Sequence, residues 1–209
     1  LDRAGSIAII SDEPHPLYSR VLLPRFAKGE IGRDQVFLRR GDDYATRGIS
    51  LVTGEAVAGL DLSGRAVRLA GGRAISFGKL LIASGGRPRA LNLPGEHLEG
   101  VSRFQTIEDA ERMPGLLGGA RRAVVVGGGF IALEYLEVLI RRQIPTTIVF
   151  PQPHIFGHYL DERGGELLGD NFQKHGIEIV RGDRLVAIEG NDRVRGVKTA
   201  QGRGLSCDF

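Results

Sequence analysis

The chain has 209 residues, 42% hydrophobic and 25% charged, which is enough apolar content to bury a core in one or two domains. Its 28 basic and 25 acidic residues leave a formal charge of only +3 and are interspersed along the sequence, which argues against a nucleic-acid face. The single cysteine, Cys207, excludes an internal disulfide framework and a cysteine zinc cluster. No segment has the length and apolarity of a membrane span, and no signal peptide is visible, so the cytoplasm is the default compartment.

In chain order, Ser6–Ile10 reads as a strand with the polar end Ser11-Asp12-Glu13. A Pro-rich turn and a short helical or irregular stretch from Arg20 to Lys28 follow. Short strands bounded by turn signals are expected at Ile49–Thr53, Ala56–Leu60, Ala66–Leu69 and Lys79–Ala83. A linker is expected from about Arg87 to Leu117, punctuated by Pro88, Pro94 and Pro114. Ala123–Val126 then suits a buried parallel strand. The helix after it carries Leu133, Leu136 and Ile140 on one face and an i,i+4 pair of Glu137 with Arg141. Thr146–Phe150 is the next strand, Glu162 to His175 a second helix, and antiparallel hairpin pieces finish the chain.

One module occurs twice. Gly48-Ile49-Ser50-Leu51-Val52-Thr53-Gly54 matches Gly176-Ile177-Glu178-Ile179-Val180-Arg181-Gly182, an offset of 128 residues. Val57 and Leu60 answer to Leu185 and Ile188, and Gly72–Ile75 to Gly202–Leu205. The first copy runs on through Leu80 to Gly85, whereas the second ends at Phe209, before its equivalent strand. The expected fold is therefore α/β, with two Rossmann-like dinucleotide-binding lobes, the first incomplete, each with antiparallel hairpin additions.

The chemistry is clearest between Val124 and Glu134. Gly127, Gly129 and Ala132 satisfy GxGxx(G/A) between a strand and a helix. Gly127 allows the tight turn, Gly129 lets backbone approach a pyrophosphate, and Ala132 permits close packing of helix on strand. Phe130 and Ile131 open the helix whose free N–H groups face the anion. The alternative is a tight turn that binds nothing. An acid about 20 residues on usually holds the adenosine ribose, yet no Asp or Glu occurs between Glu137 and Asp161, and no Arg follows Phe150 closely. NADH and NADPH both stay open. His15, His154, His158 and His175 show no metal-ligand spacing, and no metal is expected. Cys207 is expected to begin a strand.

These residues resemble the pyridine nucleotide–disulfide oxidoreductases, in the branch of ferredoxin/rubredoxin reductases and the flavin part of nitrite reductases. The likeness covers essentially the whole chain and rests on Tyr18-Ser19-Arg20, Leu80 to Pro88, Thr106 to Ala110 and the Gly127–Glu134 turn. It implies a partial FAD-binding domain at residues 1–115 and an NAD(P)-binding domain at 116–209, both from a longer protein trimmed at each end. It also implies that Asp12 meets the FAD ribose, that Arg25 lies near the flavin or pyrophosphate, that Arg20 is the cofactor-binding arginine of a Tyr-x-Arg motif, and that Val57 meets the adenine through its backbone. Ala83-Ser84-Gly85 looks like the family's ATG motif beside FAD, and Glu134 matches the glutamate near the nicotinamide. The plainer alternatives are surface charges for Arg20 and Arg25, a turn cap for Asp12, core for Val57, and an arginine partner for Glu134.

Departures from the pattern also carry information. Val21 stands where disulfide- and peroxide-reducing relatives hold a reactive cysteine, so thiolate chemistry is unavailable there. Gln105 stands where some relatives carry an arginine that touches FAD. The resemblance thus implies FAD and NAD(P)H as cofactors. The implied activity is hydride transfer from nicotinamide to flavin, then electron transfer to a ferredoxin, a rubredoxin or a sirohaem partner, with no catalytic acid or base required. Oligomerisation is open. The alternatives are a nucleotide-binding redox sensor that has lost turnover, and an NAD(P)H oxidase.

Overall fold

The computed structural model describes residues 5–209. Its elements in chain order are β1 (Ile7–Ile10), α1 (Leu23–Ala27), α2 (Gly41–Thr46), β2 (Ile49–Val52), β3 (Val57–Asp61), β4 (Ala66–Leu69), β5 (Ala74–Ser76), α3 (Ile107–Leu117), β6 (Ala123–Val126), α4 (Phe130–Arg141), β7 (Thr146–Phe150), α5 (Glu162–Lys174), β8 (Ile177–Arg181), β9 (Leu185–Gly190), β10 (Val194–Thr199) and β11 (Gly204–Ser206). Two compact units result: one of the chain up to Arg20 with Gly32–Arg87, the other of Val21–Ile31 with Pro88–Phe209.

In the first unit β1 and β2 pair in parallel, Ile7 opposite Ile49 and Ile10 opposite Val52. Strands β3, β4 and β5 form an antiparallel sheet in that order, with Val67 and Leu69 of β4 buried. Tyr44 of α2 is also buried, and its hydroxyl accepts from the Leu17 amide at 3.1 Å. The expected strand at Lys79–Ala83 is absent. The segment lies outside any sheet among the described residues, with Leu81 85% and Ile82 67% exposed. Its apolar run carries the propensity of a buried strand, but a strand forms only when a neighbour takes up its backbone hydrogen bonds.

In the second unit β6, β7 and β8 form a parallel sheet in chain order, joined by α4 and α5. The middle strand β7 is buried along its whole length, as its unbroken Thr-Thr-Ile-Val-Phe run requires. A second, antiparallel sheet runs β9–β10–β11. A single apolar cluster, including Val149, Val180, Leu185, Ile188 and Val197, joins residues of both sheets.

Most of the expected linker is structured. Leu98 is buried against that cluster, the Ile188 amide donates to Pro94 O at 2.8 Å, and the Val194 amide donates to Glu99 O at 2.9 Å. Thr106 then caps α3. Its hydroxyl accepts from the Asp109 amide at 3.3 Å, and the Asp109 carboxylate accepts back from the Thr106 amide at 3.0 Å. The prolines mislead here because Pro94 sits in a turn that docks on the sheet and Pro114 is accommodated inside α3. Cys207 follows β11 instead of opening a strand, and is buried.

The duplication is visible in backbone bonds as well as in sequence. Gly54 N–H donates to Glu13 O and Glu55 N–H to Ser11 O, at 2.9 and 3.1 Å. In the second copy Gly182 N–H donates to Gln152 O and Asp183 N–H to Phe150 O, at 3.1 and 3.2 Å. Gly54 and Gly182 both adopt the left-handed conformation, at φ 72° and 68°. Each copy therefore straps the loop after one parallel strand to the end of its neighbour.

Candidate functional site

The turn between β6 and α4 has the expected geometry. Gly127 takes φ 108°, which an L side chain rarely adopts. Gly129 is the N-cap of α4, in extended backbone and with no side-chain cap on the helix. A Cβ on Gly127 or Gly129 would meet nothing within 4 Å. The space in front of the turn is open, and the first N–H groups of α4 have no side-chain partner, which is what a phosphate requires. Ala132 is buried, consistent with close packing on the strands. Gly128 has a packing reason instead: an added Cβ would stand 3.1 Å from Phe150 Cγ.

The side chains of Phe130 and Ile131, at the head of α4, are 59% and 52% exposed. Phe130 packs edge-on to Phe156 with ring centroids 4.6 Å apart, and lies 5.1 Å from Tyr159. Phe156 is held at a left-handed φ of 60°, and its amide donates to Gly128 O at 2.9 Å. The loop after β7 is thereby pinned both to the glycine turn and, through Gln152, to the end of β8. Sequence inspection could not foresee this, because nothing in the spacing marks Phe156 as the residue that bonds back to the turn.

Glu134 is half-buried on α4. Desolvation by burial, followed by the nearby charge of Glu137, raises its carboxyl above the ordinary glutamate range, against the pull of Lys28. The expected Glu137–Arg141 pair does not form. Glu137 meets Lys28 at 2.9 Å and Arg141 pairs with Glu30. The segment 28–30 after α1 intercepts both partners, and helix spacing alone gives no hint of it. The buried face of α4 is likewise wider than the expected Leu133, Leu136 and Ile140 stripe. Leu136, Val138 and Leu139 are the fully buried residues, because α4 packs on both β6 and α1.

In the first unit, Asp12 is exposed, with an Arg87 nitrogen 3.8 Å away. Arg20 pairs with Glu13, donates to the Tyr18 hydroxyl at 3.0 Å and lies over the Tyr18 ring at 5.1 Å. Val57 opens β3 and is 47% exposed. Ala83, Ser84 and Gly85 run in irregular, exposed backbone, with Gly85 at φ 65°. Arg25 belongs to the second unit, on α1, where it meets Glu30 at 3.3 Å.

A cavity of about 360 Å³ opens beside the end of β7, lined among others by Phe150, His154, Glu166, Asp170 and Arg181. Phe150 and Arg181 are partners in the β7–β8 register. An arginine thus reaches the strand end after all, delivered from 31 residues away by strand pairing.

The family model described as pyridine nucleotide-disulphide oxidoreductase matches residues 2–209. The chain is 33% identical over 210 residues to a probable ferredoxin reductase, CtmF, of Castellaniella defragrans, covering 100% of this chain and 51% of that protein. It is 29% identical over 203 residues to the nitrite reductase [NAD(P)H] of Bacillus subtilis, covering 97% of this chain and 25% of that one. Among solved structures, the ferredoxin reductase for the CYP199A2 system of Rhodopseudomonas palustris superposes with a TM-score of 0.94 at 28% identity, over 99% of this chain and 51% of that one. The reductase in a covalent putidaredoxin reductase–putidaredoxin complex gives 0.92 at 26%, over 98% and 51%. The chain spans about half the length of the ferredoxin reductase relatives it matches.

Proposed function

The chain belongs to the pyridine nucleotide-disulphide oxidoreductase family, and from that premise we propose that it is the nucleotide-binding portion of an FAD-dependent NAD(P)H:acceptor oxidoreductase. The observation that carries the reading is the glycine turn at the uncapped head of α4, where a Cβ on Gly127 or Gly129 would meet nothing and the backbone is open to a pyrophosphate. Gly127, Gly129 and the amides of Phe130, Ile131 and Ala132 would hold the phosphates, with Glu134 one turn further along. Residues 1–115 would contribute to the flavin site through Asp12, Arg20, Arg25, Val57 and Ala83–Gly85, and residues 116–209 would take the nicotinamide coenzyme. Residues 1–4 lie outside the described part of that first domain.

The bound coenzymes supply the hydride and electron chemistry, and the residues of the chain bind and orient them. With Val21 in place of a cysteine, no thiol takes part. The proposed acceptor is a carrier protein of the ferredoxin or rubredoxin kind, or a sirohaem centre, in the cytoplasm. The ferredoxin reductases among its relatives support the carrier protein over the sirohaem centre. No helix among the described residues is long and apolar enough to cross a membrane.

Anaerobic addition of NADH or NADPH to the flavin-loaded full-length protein is expected to bleach its visible flavin absorbance, and a ferredoxin-type acceptor to restore it. No bleaching with either nucleotide would remove the enzyme reading and favour a nucleotide-binding sensor. Fast oxygen uptake without a carrier would favour an oxidase.

A further inference from the structure

The strand end that ordinarily carries the ribose-binding acid here carries a buried phenylalanine, Phe150, followed by Pro151, the counterpart of Asp12. Three observations say what does the work instead. First, the loop after β7 carries Pro151-Gln152 where the equivalent loop of the first copy carries Asp12-Glu13. The two straps fix this equivalence, with Gln152 O bonded as Glu13 O is. Both carboxylates of the first copy have neutral counterparts in the second. Second, residues 151–160 bring no carboxylate to this strand end, and the Gln152 amide nitrogen lies 3.1 Å from His158 Nε2. Third, Arg181 stands beside Phe150, one strand spacing of about 4.8 Å away, on the wall of the 360 Å³ cavity. Its side chain is exposed and has no ion pair among the described residues.

We propose that the ends of β7 and β8 read the adenosine ribose of the nicotinamide coenzyme through Arg181, and that this arrangement accepts a 2′-phosphate. The inference rests on the dinucleotide reading of the glycine turn and adds a choice of coenzyme to it. The neutral Pro151 and Gln152 do not repel a neighbouring phosphate, as carboxylates there would. Arg181 supplies the charge-assisted bonds that a phosphate prefers. Its position is rigid, because the Gly182 and Asp183 amides that follow it are bonded to Gln152 O and Phe150 O. Two carboxylates oppose this, Glu166 and Asp170 on α5, which line the same cavity. They moderate the preference for a 2′-phosphate and provide a second handle on it.

The test is calorimetric titration of the 209-residue chain with ADP-ribose and with 2′-phospho-ADP-ribose. The phosphorylated ligand is expected to bind at least as tightly as the plain one. Arg181→Ala should loosen 2′-phospho-ADP-ribose by about 10-fold while leaving ADP-ribose within about 2-fold. Glu166→Gln with Asp170→Asn should tighten only the phosphorylated ligand. Arg181, Glu166 and Asp170 are exposed, so these variants keep the fold, which thermal melts would verify. Wild-type binding of ADP-ribose with a 10-fold or greater rejection of its 2′-phosphate would overturn this inference and leave the glycine turn as a nucleotide site. So would an equal loss of both ligands in Arg181→Ala. Binding of neither ligand would overturn the nucleotide reading itself, and this inference with it.

Discussion

The ring of Phe150 fills the space a side chain on Gly128 would need, with its Cγ 3.1 Å from that position. The three glycines of the turn therefore serve three different purposes, and alanine at each should fail differently. Gly127→Ala should cost about 1–3 kcal/mol from its φ of 108°. Gly128→Ala should destabilise through the Phe150 contact and be partly rescued by Phe150→Leu, which opens space. Gly129→Ala, in extended backbone with open space around it, should leave stability unchanged and weaken ADP-ribose binding. Urea unfolding and titration on the same three proteins separate these outcomes. A Gly129→Ala variant that binds normally would mean the phosphate sits elsewhere.

Glu134 should register in the pH dependence of stability. A carboxyl whose affinity for the proton is raised on folding is penalised when ionised, so the penalty is present at neutral pH and vanishes below the ordinary glutamate range. Glu134→Gln is expected to melt higher than wild type at pH 7 and together with it near pH 3. A lower melting temperature at pH 7 would mean that the carboxylate has a stabilising partner.

Glu30 should behave in the opposite sense. Desolvation pushes its carboxyl up, but the Arg25 hydrogen bond and the charges of Lys28 and Arg141 outweigh that and leave it below the ordinary value. Its contribution is then present above the ordinary range and lost as pH falls through the depressed value. Glu30→Gln should melt lower than wild type at neutral pH, with the gap closing below about pH 4. A gap that persists in acid would show that packing, not charge, is at work.

Gly95 should be among the least replaceable residues. Its φ is 83°, and a Cβ would lie 2.1 Å from the Ile188 carbonyl oxygen, a backbone atom held in β9. Gly95→Ala is expected to cost more than about 3 kcal/mol, adding overpacking to left-handed strain. Gly29→Ala is the control, with a similar φ of 74° and open space. Chemical denaturation of the pair would refute this if both lost the same stability.

Cys207 should be inert in the native protein. Burial first, and then the charge of Asp208, push its thiol up to about 11. Thiol reagents at pH 8 should label it slowly when folded and rapidly in urea, since only about one thiol in a thousand is ionised at that pH. Fast native labelling would show that the segment after β11 opens readily.

Repetition and short-range pattern carried much of this protein in one dimension. The glycine turn, the parallel strands, the hairpin sheets and the 128-residue duplication are legible because each depends on residues close in sequence or on a repeated string. The elements whose local pattern points elsewhere depend on partners distant in sequence. Lys79–Ala83 has a strand's composition without a paired neighbour among the described residues, and the segment around Gly95 and Leu98 reads as linker until it meets β9. Glu137 and Arg141 look like each other's partners until Lys28 and Glu30 arrive from α1. The cavity beside β7 belongs wholly to the tertiary structure, because register between two strands, not spacing along one, sets Arg181 next to Phe150.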